Sequence, residues 1–152
     1  MQIEIRKLQD TDIETLARME AEAFSMPWTA QDFRGLLEHS YCFYLVALAE
    51  GEIAGCCGFT NLGGEADIDN VVVGRQYRNR GIAQAMLGEL IARGEAEGVG
   101  AFTLEVRVSN EAAIHIYEKY GFRSEGIRPG FYEKPREDAL IMWRRKSDSD
   151  PG

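Results

Sequence analysis

Arg78-Asn79-Arg80-Gly81-Ile82-Ala83 joins two stretches of different periodicity. Before it, the apolar run Ile68 to Val73 reads as a strand. After it, Ile82, Met86, Leu87, Leu90 and Ile91 recur at helical spacing on one face. A glycine at such a strand-to-helix turn lets backbone approach a ligand closely. The first turn of the helix then offers N–H groups without intrahelical partners and the positive end of its dipole, which suits a phosphate or pyrophosphate. Arg78 and Arg80 add charge and donors. The stretch therefore predicts an anion cradle, against the plainer reading of a solvated turn. It lacks the G-x-G-x-x-G of dinucleotide loops and the G-K-[ST] of nucleotide-triphosphate loops, so neither of those ligands is expected.

Working outward, Gln2 to Lys7 alternates apolar and polar residues and reads as an edge or half-buried strand. Thr11 to Glu14 has capping-box spacing, and Ile13, Leu16, Ala17, Ala21 and Phe24 continue as a helix that ends at Pro27. Thr29 caps a second helix, with Asp32 three positions on and Trp28 and Phe33 spaced as a hydrophobic staple. Tyr41 to Leu48 and Ile53 to Thr60 form a hairpin about the turn Ala49 to Glu52. Ala66 to Val73 is the strand that leads to the cradle. Its end, Val71-Val72-Val73, is too uniformly apolar for a solvated face, which places it centrally in the sheet.

The helix from Ile82 runs to about Glu97, where Gly98 and Gly100 end it. Ala101 to Val108 alternates strictly, with Phe102, Leu104, Val106 and Val108 on one face and Thr103, Glu105 and Arg107 on the other. Ser109-Asn110 caps a last helix, closed by Gly121 with Phe122 placed for the C-terminal contact. Phe131-Tyr132 and Ala139 to Trp143 read as final strand material after a loop containing Pro129 and Gly130. The order predicts an α/β or α+β fold with helices on the faces of a mixed sheet. One domain is expected over residues 1–146, with a disordered tail at 147–152.

Composition narrows the function. A hydrophobic content of 45% and a charged content of 28% are those of an ordinary globular domain. The net charge of −8 argues against a general nucleic-acid binder and favours a cationic partner. No apolar run is long enough to cross a bilayer, and the N-terminus lacks a signal-peptide pattern, so no membrane partner is expected. Cys42, Cys56 and Cys57 are odd in number and have no metal or disulfide spacing. They read as thiols of a reducing cytoplasm. His39 and His115 lack metal or triad partners nearby, so no metal is expected.

Four segments besides the cradle complete a pattern. Leu104-Glu105-Val106-Arg107 is followed by Asn110-Glu-Ala-Ala-Ile-His-Ile-Tyr117-Glu-Lys-Tyr-Gly-Phe122. Asp67-Ile68-Asp69-Asn70-Val71-x-Val73 precedes the cradle, and Phe131-Tyr132 precedes Glu137-Asp138-Ala139-Leu140-Ile141-Met142. With Trp28-Thr29-x-x-x-Phe33, this set resembles the GNAT superfamily of N-acetyltransferases, in particular its bacterial ribosomal-protein-alanine N-acetyltransferases (the RimI type). The cradle matches that superfamily's acyl-CoA loop, R/Q-x-x-G-x-G/A. The resemblance spans nearly the whole chain and implies the GNAT fold in β-α-α-β-β-β-α-β-α-β order.

The resemblance also implies site residues. Val71, Val72 and Val73 would contact acetyl-CoA, Val71 and Val73 through their backbone. Asn79, Arg80, Gly81, Ile82, Ala83 and Gln84, with Arg78, would hold its pyrophosphate. Asn110 would meet the CoA arm. Glu105 would be the general base and Tyr117 the general acid, also in contact with the coenzyme. Trp28, Phe33 and Tyr132 would border the acceptor. The implied reaction is acetyl transfer to the N-terminal alanine of a basic ribosomal protein tail, by a monomer or weak dimer in the cytoplasm. A small amine or another protein N-terminus is the alternative acceptor, and a non-catalytic acyl-CoA-binding module is the alternative of another class. Pro129-Gly130-Phe131 departs from the more polar, tyrosine-bearing residues usual in that subfamily, at the loop that borders the acceptor.

Overall fold

The computed structural model describes residues 2–24 and 27–145, and the tail expected at 147–152 lies outside them. The elements run β1 (Ile3–Lys7), α1 (Ile13–Ala23), α2 (Ala30–Leu37), β2 (Cys42–Ala49), β3 (Glu52–Leu62), β4 (Glu65–Val73), α3 (Ile82–Ala96), β5 (Ala101–Arg107), α4 (Glu111–Lys119), β6 (Arg123–Glu133) and β7 (Arg136–Arg145). One seven-stranded sheet has the order β1-β2-β3-β4-β5-β7-β6. Every neighbouring pair is antiparallel except β4 and β5.

Helices cover both faces of this sheet. On one side Ile82, Met86, Leu87, Leu90 and Ile91 of α3 pack on Leu45, Cys57, Phe59 and Phe102, and α4 adds Ile114, Ile116 and Tyr117. On the other side Ile13 and Leu16 of α1 and Phe33 of α2 pack on Tyr44, Val46, Cys56 and Val72. Each such side chain taken from water contributes roughly 2 kcal/mol. The alternation expected of β5 holds at Phe102, Leu104 and Val106, which are buried against α3, but the strand ends at Arg107 and Val108, expected on the same face, is exposed. No helix among the described residues is long and apolar enough to cross a membrane.

The expected caps form at most helix ends. Thr29 accepts from the Asp32 N–H at 3.2 Å, and Asp32 accepts from the Thr29 N–H at 2.9 Å. Asn110 accepts from the Ala113 N–H at 3.2 Å. At the end of α4, the Gly121 N–H reaches the Glu118 carbonyl and the Phe122 N–H the Tyr117 carbonyl, a Schellman motif with Gly121 at φ +89°.

Two expectations are corrected. Thr11 is not the cap of the first helix. Asp12 stands at its N-cap without a side-chain cap bond, and its carboxylate instead closes the 3-10 turn before the helix, accepting the Gln9 N–H at 2.8 Å while paired with both terminal Arg6 guanidinium nitrogens at 2.8 and 2.9 Å. Burial alone would raise the Asp12 pKa, but the Arg6 and Gln9 hydrogen bonds and the Arg6 charge outweigh it and leave the carboxyl lowered. The loop expected around Pro129 and Gly130 is instead part of β6. The β6–β7 register breaks between Arg128 and Tyr132, and proline is tolerated in a strand at such an irregularity or on an edge.

Candidate active site

The site is where the parallel pair comes apart. β4 and β5 pair from Glu65–Asp67 to Ala101–Thr103, three rungs, although β4 runs on to Val73 and β5 to Arg107. A bulge sharpens the departure: Gly58 pairs with Asn70 and Phe59 with Ile68, which leaves Asp69 unmatched. Two adjoining clefts open around the splayed ends, of about 680 and 540 Å³. They share Val71, Asn110, Ala23 and Phe24.

The smaller cleft is the cradle. Gly81 stands at the N-cap of α3 with φ +78°, and Asn79 has φ +64°. A side chain at Gly81 would meet no other atom, so backbone conformation and not space is what requires glycine there. The turn aims the first N–H groups of a fifteen-residue helix into the cleft. Val71, Val72, Val73, Arg78, Asn79, Gly81, Ile82, Ala83 and Gln84 line it. Arg78 is braced by donating from Nε to the Val73 carbonyl at 3.3 Å. Arg80 is exposed and outside this lining. The donor set is backbone amide plus guanidinium, which fits a pyrophosphate.

The larger cleft takes side chains from both faces of the sheet. Tyr117 enters from the α3/α4 side, where its ring packs edge-on against Phe122 with centroids 5.8 Å apart. The Schellman motif fixes both residues, so the helix terminus itself aims the phenol. Burial pushes the Tyr117 phenol well up from its ordinary value, which keeps its proton on at neutral pH. Glu105 enters from the α1/α2 side. Its carboxylate lies 3.5 Å from the Arg128 guanidinium.

Asp69, from the bulge, lines the same cleft and accepts from the Thr60 hydroxyl at 2.8 Å. Burial, with Asp67 and Glu105 adding repulsion, raises Asp69 to about 6 despite the Thr60 hydrogen bond. Burial and Glu105 likewise raise Asp67 to about 6, against the opposing charge of Arg128. Sequence reasoning missed Asp69 as a cleft group, because the bulge that presents it arises from pairing with β3. Glu20 was missed too. It is buried, lines the cleft and accepts the Trp28 N–H at 3.0 Å.

Of the expected acceptor residues, Trp28 and Tyr132 line the larger cleft. Arg107 sits over the Tyr132 ring at 4.3 Å and donates to the Pro135 carbonyl at 2.9 Å and to Glu137 at 3.2 Å. That clamp holds the β6–β7 hairpin against β5. Phe33 is corrected: it has 0% exposure and does not line the cleft. It supports Trp28 from beneath, 5.4 Å between ring centroids, as a staple residue does. Among the described residues no His, Cys, Asp or Glu group has the arrangement to hold a metal ion.

A mixed sheet splayed at its parallel pair, with a glycine-led helix start on one side and Glu105 on the other, is the arrangement that the resemblance to acyl-CoA-dependent transferases implies. The chain belongs to the acetyltransferase (GNAT) family, whose profile matches residues 12–122. An Escherichia coli [ribosomal protein bS18]-alanine N-acetyltransferase is 34% identical over 91% of this chain and 94% of its own length. The Mycobacterium tuberculosis N-alpha-acetyltransferase RimI is 32% identical over 98% of this chain and 95% of its own. The crystal structure of the ribosomal-protein-S18-alanine N-acetyltransferase from Escherichia coli superposes with a TM-score of 0.89 at 31% identity, covering 99% of this chain and 98% of that one.

Proposed function

We propose that this protein transfers the acetyl group of acetyl-CoA to the N-terminal alanine of a ribosomal protein, bS18 in the first instance, as its relatives are named for doing. One observation carries the reading. The cradle and the larger cleft meet at Val71 and Asn110, with Tyr117 and Glu105 in the larger cleft just past that junction. A thioester entering from the cradle would therefore meet an amine entering from the other side.

The amine must be neutral to attack. A peptide α-amine has a pKa of about 8, so losing its proton costs little near neutrality. Glu105 takes that proton, the neutral nitrogen bonds to the thioester carbonyl carbon, and the nitrogen's second surplus proton leaves as the adduct collapses to the amide, replacing the one that Tyr117 gives to sulfur. The carbon–sulfur bond breaks, and the Tyr117 phenol donates its proton to the departing thiolate. No covalent enzyme intermediate is needed, and holding both substrates together supplies much of the rate. The backbone of β4 near Val71, freed from pairing with β5, can polarise the carbonyl. Asn79 to Gln84 hold the pyrophosphate, while Trp28 and Tyr132 flank the acceptor. The chain's net charge of −8 complements a basic tail, and the reaction is assigned to the cytoplasm.

The test is a panel of acceptors with acetyl-CoA: peptides beginning with Ala, Ser or Met, a peptide with only a lysine amine free, and polyamines. Release of CoA and product mass are followed. Turnover of Ala- or Ser-initiated peptides is expected. Turnover of polyamines alone would replace the acceptor, and tight CoA binding with no turnover would replace the enzyme by a binding module.

A further inference from the structure

Glu105 does not face the cleft alone. Arg128 lies on β6 and Glu105 on β5, with β7 between them. The arginine must therefore span two strand spacings, roughly 10 Å, to bring its guanidinium within 3.5 Å of the carboxylate. It also lies 5.3 Å from the centroid of Phe131, which is 41% exposed and lines the same cleft. Its charge acts on Asp67, which in turn is coupled to Glu105 and Asp69. The partners remain open to water, at 54% and 23% side-chain exposure.

We propose that Arg128 is a tethered stand-in for the acceptor's ammonium. It holds the Glu105 carboxylate while the cleft is empty, yields it to an incoming amine, and takes it back when the amine has become an amide. This rests on Glu105 being the carboxylate that receives the acceptor.

The position of the guanidinium carries the argument. An ammonium that binds the Glu105 carboxylate competes with the guanidinium that Arg128 holds 3.5 Å from its Oε1. An exposed ion pair is weak, so the arginine can be lifted at small cost. It is nevertheless always present, because its strand holds it at a high effective concentration. A loose cation such as a free lysine side chain or a polyamine must beat that competitor with one contact. A peptide brings further contacts along Trp28 and Tyr132. After transfer the neutral amide has no charge with which to hold Glu105, and the returning guanidinium displaces it. One residue thus raises the threshold for wrong amines and hastens departure of the product.

Calorimetric binding to Arg128→Ala and Arg128→Lys tests this without relying on turnover. The ligands are an Ala-initiated basic peptide and its N-acetylated form. Both peptides should bind Arg128→Ala two- to fivefold more tightly than wild type, the span expected for an exposed pair. Arg128→Lys, which keeps the charge, should stay nearer to wild type. In turnover, Arg128→Ala should show a lower acceptor KM, an acetyl-CoA KM within twofold of wild type and stronger inhibition by acetylated peptide. Unchanged or weaker binding of the amine peptide to a folded Arg128→Ala overturns the proposal and makes the arginine a strut between strands. Absence of turnover in wild type would defeat the proposed function instead, while the binding comparison would still decide the role of Arg128.

Discussion

The cradle and the acceptor cleft share Val71 and Asn110 yet are built from different materials. The cradle is mostly backbone: a glycine with positive φ, the open N–H groups of α3, and the end of β4. The acceptor cleft is mostly side chain, drawn from α1, β4, β5, α4 and the β6–β7 hairpin. A coenzyme that never varies can be met by backbone, which mutation of side chains hardly alters. An acceptor that must be chosen among many amines needs side chains, which can be exchanged singly. The two halves should then fail in different kinetic parameters.

The largest expected effect is Glu105→Gln. General-base removal lowers kcat by about 10²–10⁴-fold, while the acetyl-CoA dissociation constant stays within twofold. The deficit should narrow as pH rises toward the pKa of the α-amine, about 8, because the nucleophile then needs less help. Rates equal to wild type across the pH range would remove Glu105 as the base. Tyr117→Phe should cost roughly 10²-fold in kcat, with acceptor KM little changed. Next comes Gly81→Val, which forces a β-branched residue into the left-handed region at about 1–2 kcal/mol. Acetyl-CoA binding should weaken roughly tenfold, and acceptor binding should not. Gly81→Asn should be much milder. If acceptor affinity fell with donor affinity, the division into two independent halves would break.

The smallest effect concerns Asp69. Its folded-state pKa, about 6, lies above the ordinary 3.8. The folded protein therefore binds this proton more tightly than the unfolded chain does. Stability from this group is complete below pH 4 and is lost as pH rises through about 6. Asp69→Asn should raise stability at pH 7.5 by roughly 1 kcal/mol, after discounting the two-unit shift for solvent access, and do little at pH 3.5. Thermal melts at the two pH values read this directly, and equal gains at both would show that the carboxylate is not the source.

The same division explains what the sequence could reveal. The cradle was legible because its parts are contiguous: a strand, Arg78 to Ala83 and a helix face. Local signals also fixed the caps at Thr29 and Asn110, the stop at Gly121 and the alternation of β5. The acceptor cleft depends on residues far apart in the chain. The bulge at Asp69 arises from pairing with β3, and the Arg128–Glu105 contact from a hairpin that returns β7 against β5. Pro129 and Gly130 concealed β6, since both residues ordinarily signal a turn. Phe33 shares with Trp28 a spacing that fits both a wall and its support, and only the packing separates the two.

The three rungs joining β4 to β5 have a mechanical consequence. They are the narrow seam between a four-stranded block and a three-stranded one. A molecule seated in the gap above that seam bonds to both blocks and stiffens the whole body. By mass action a ligand at a hundred times its dissociation constant adds about 2.7 kcal/mol to resistance against unfolding. Amide exchange along β5 and β7 should therefore slow as the coenzyme pool fills, making the rigidity of this protein a gauge of how much donor surrounds it.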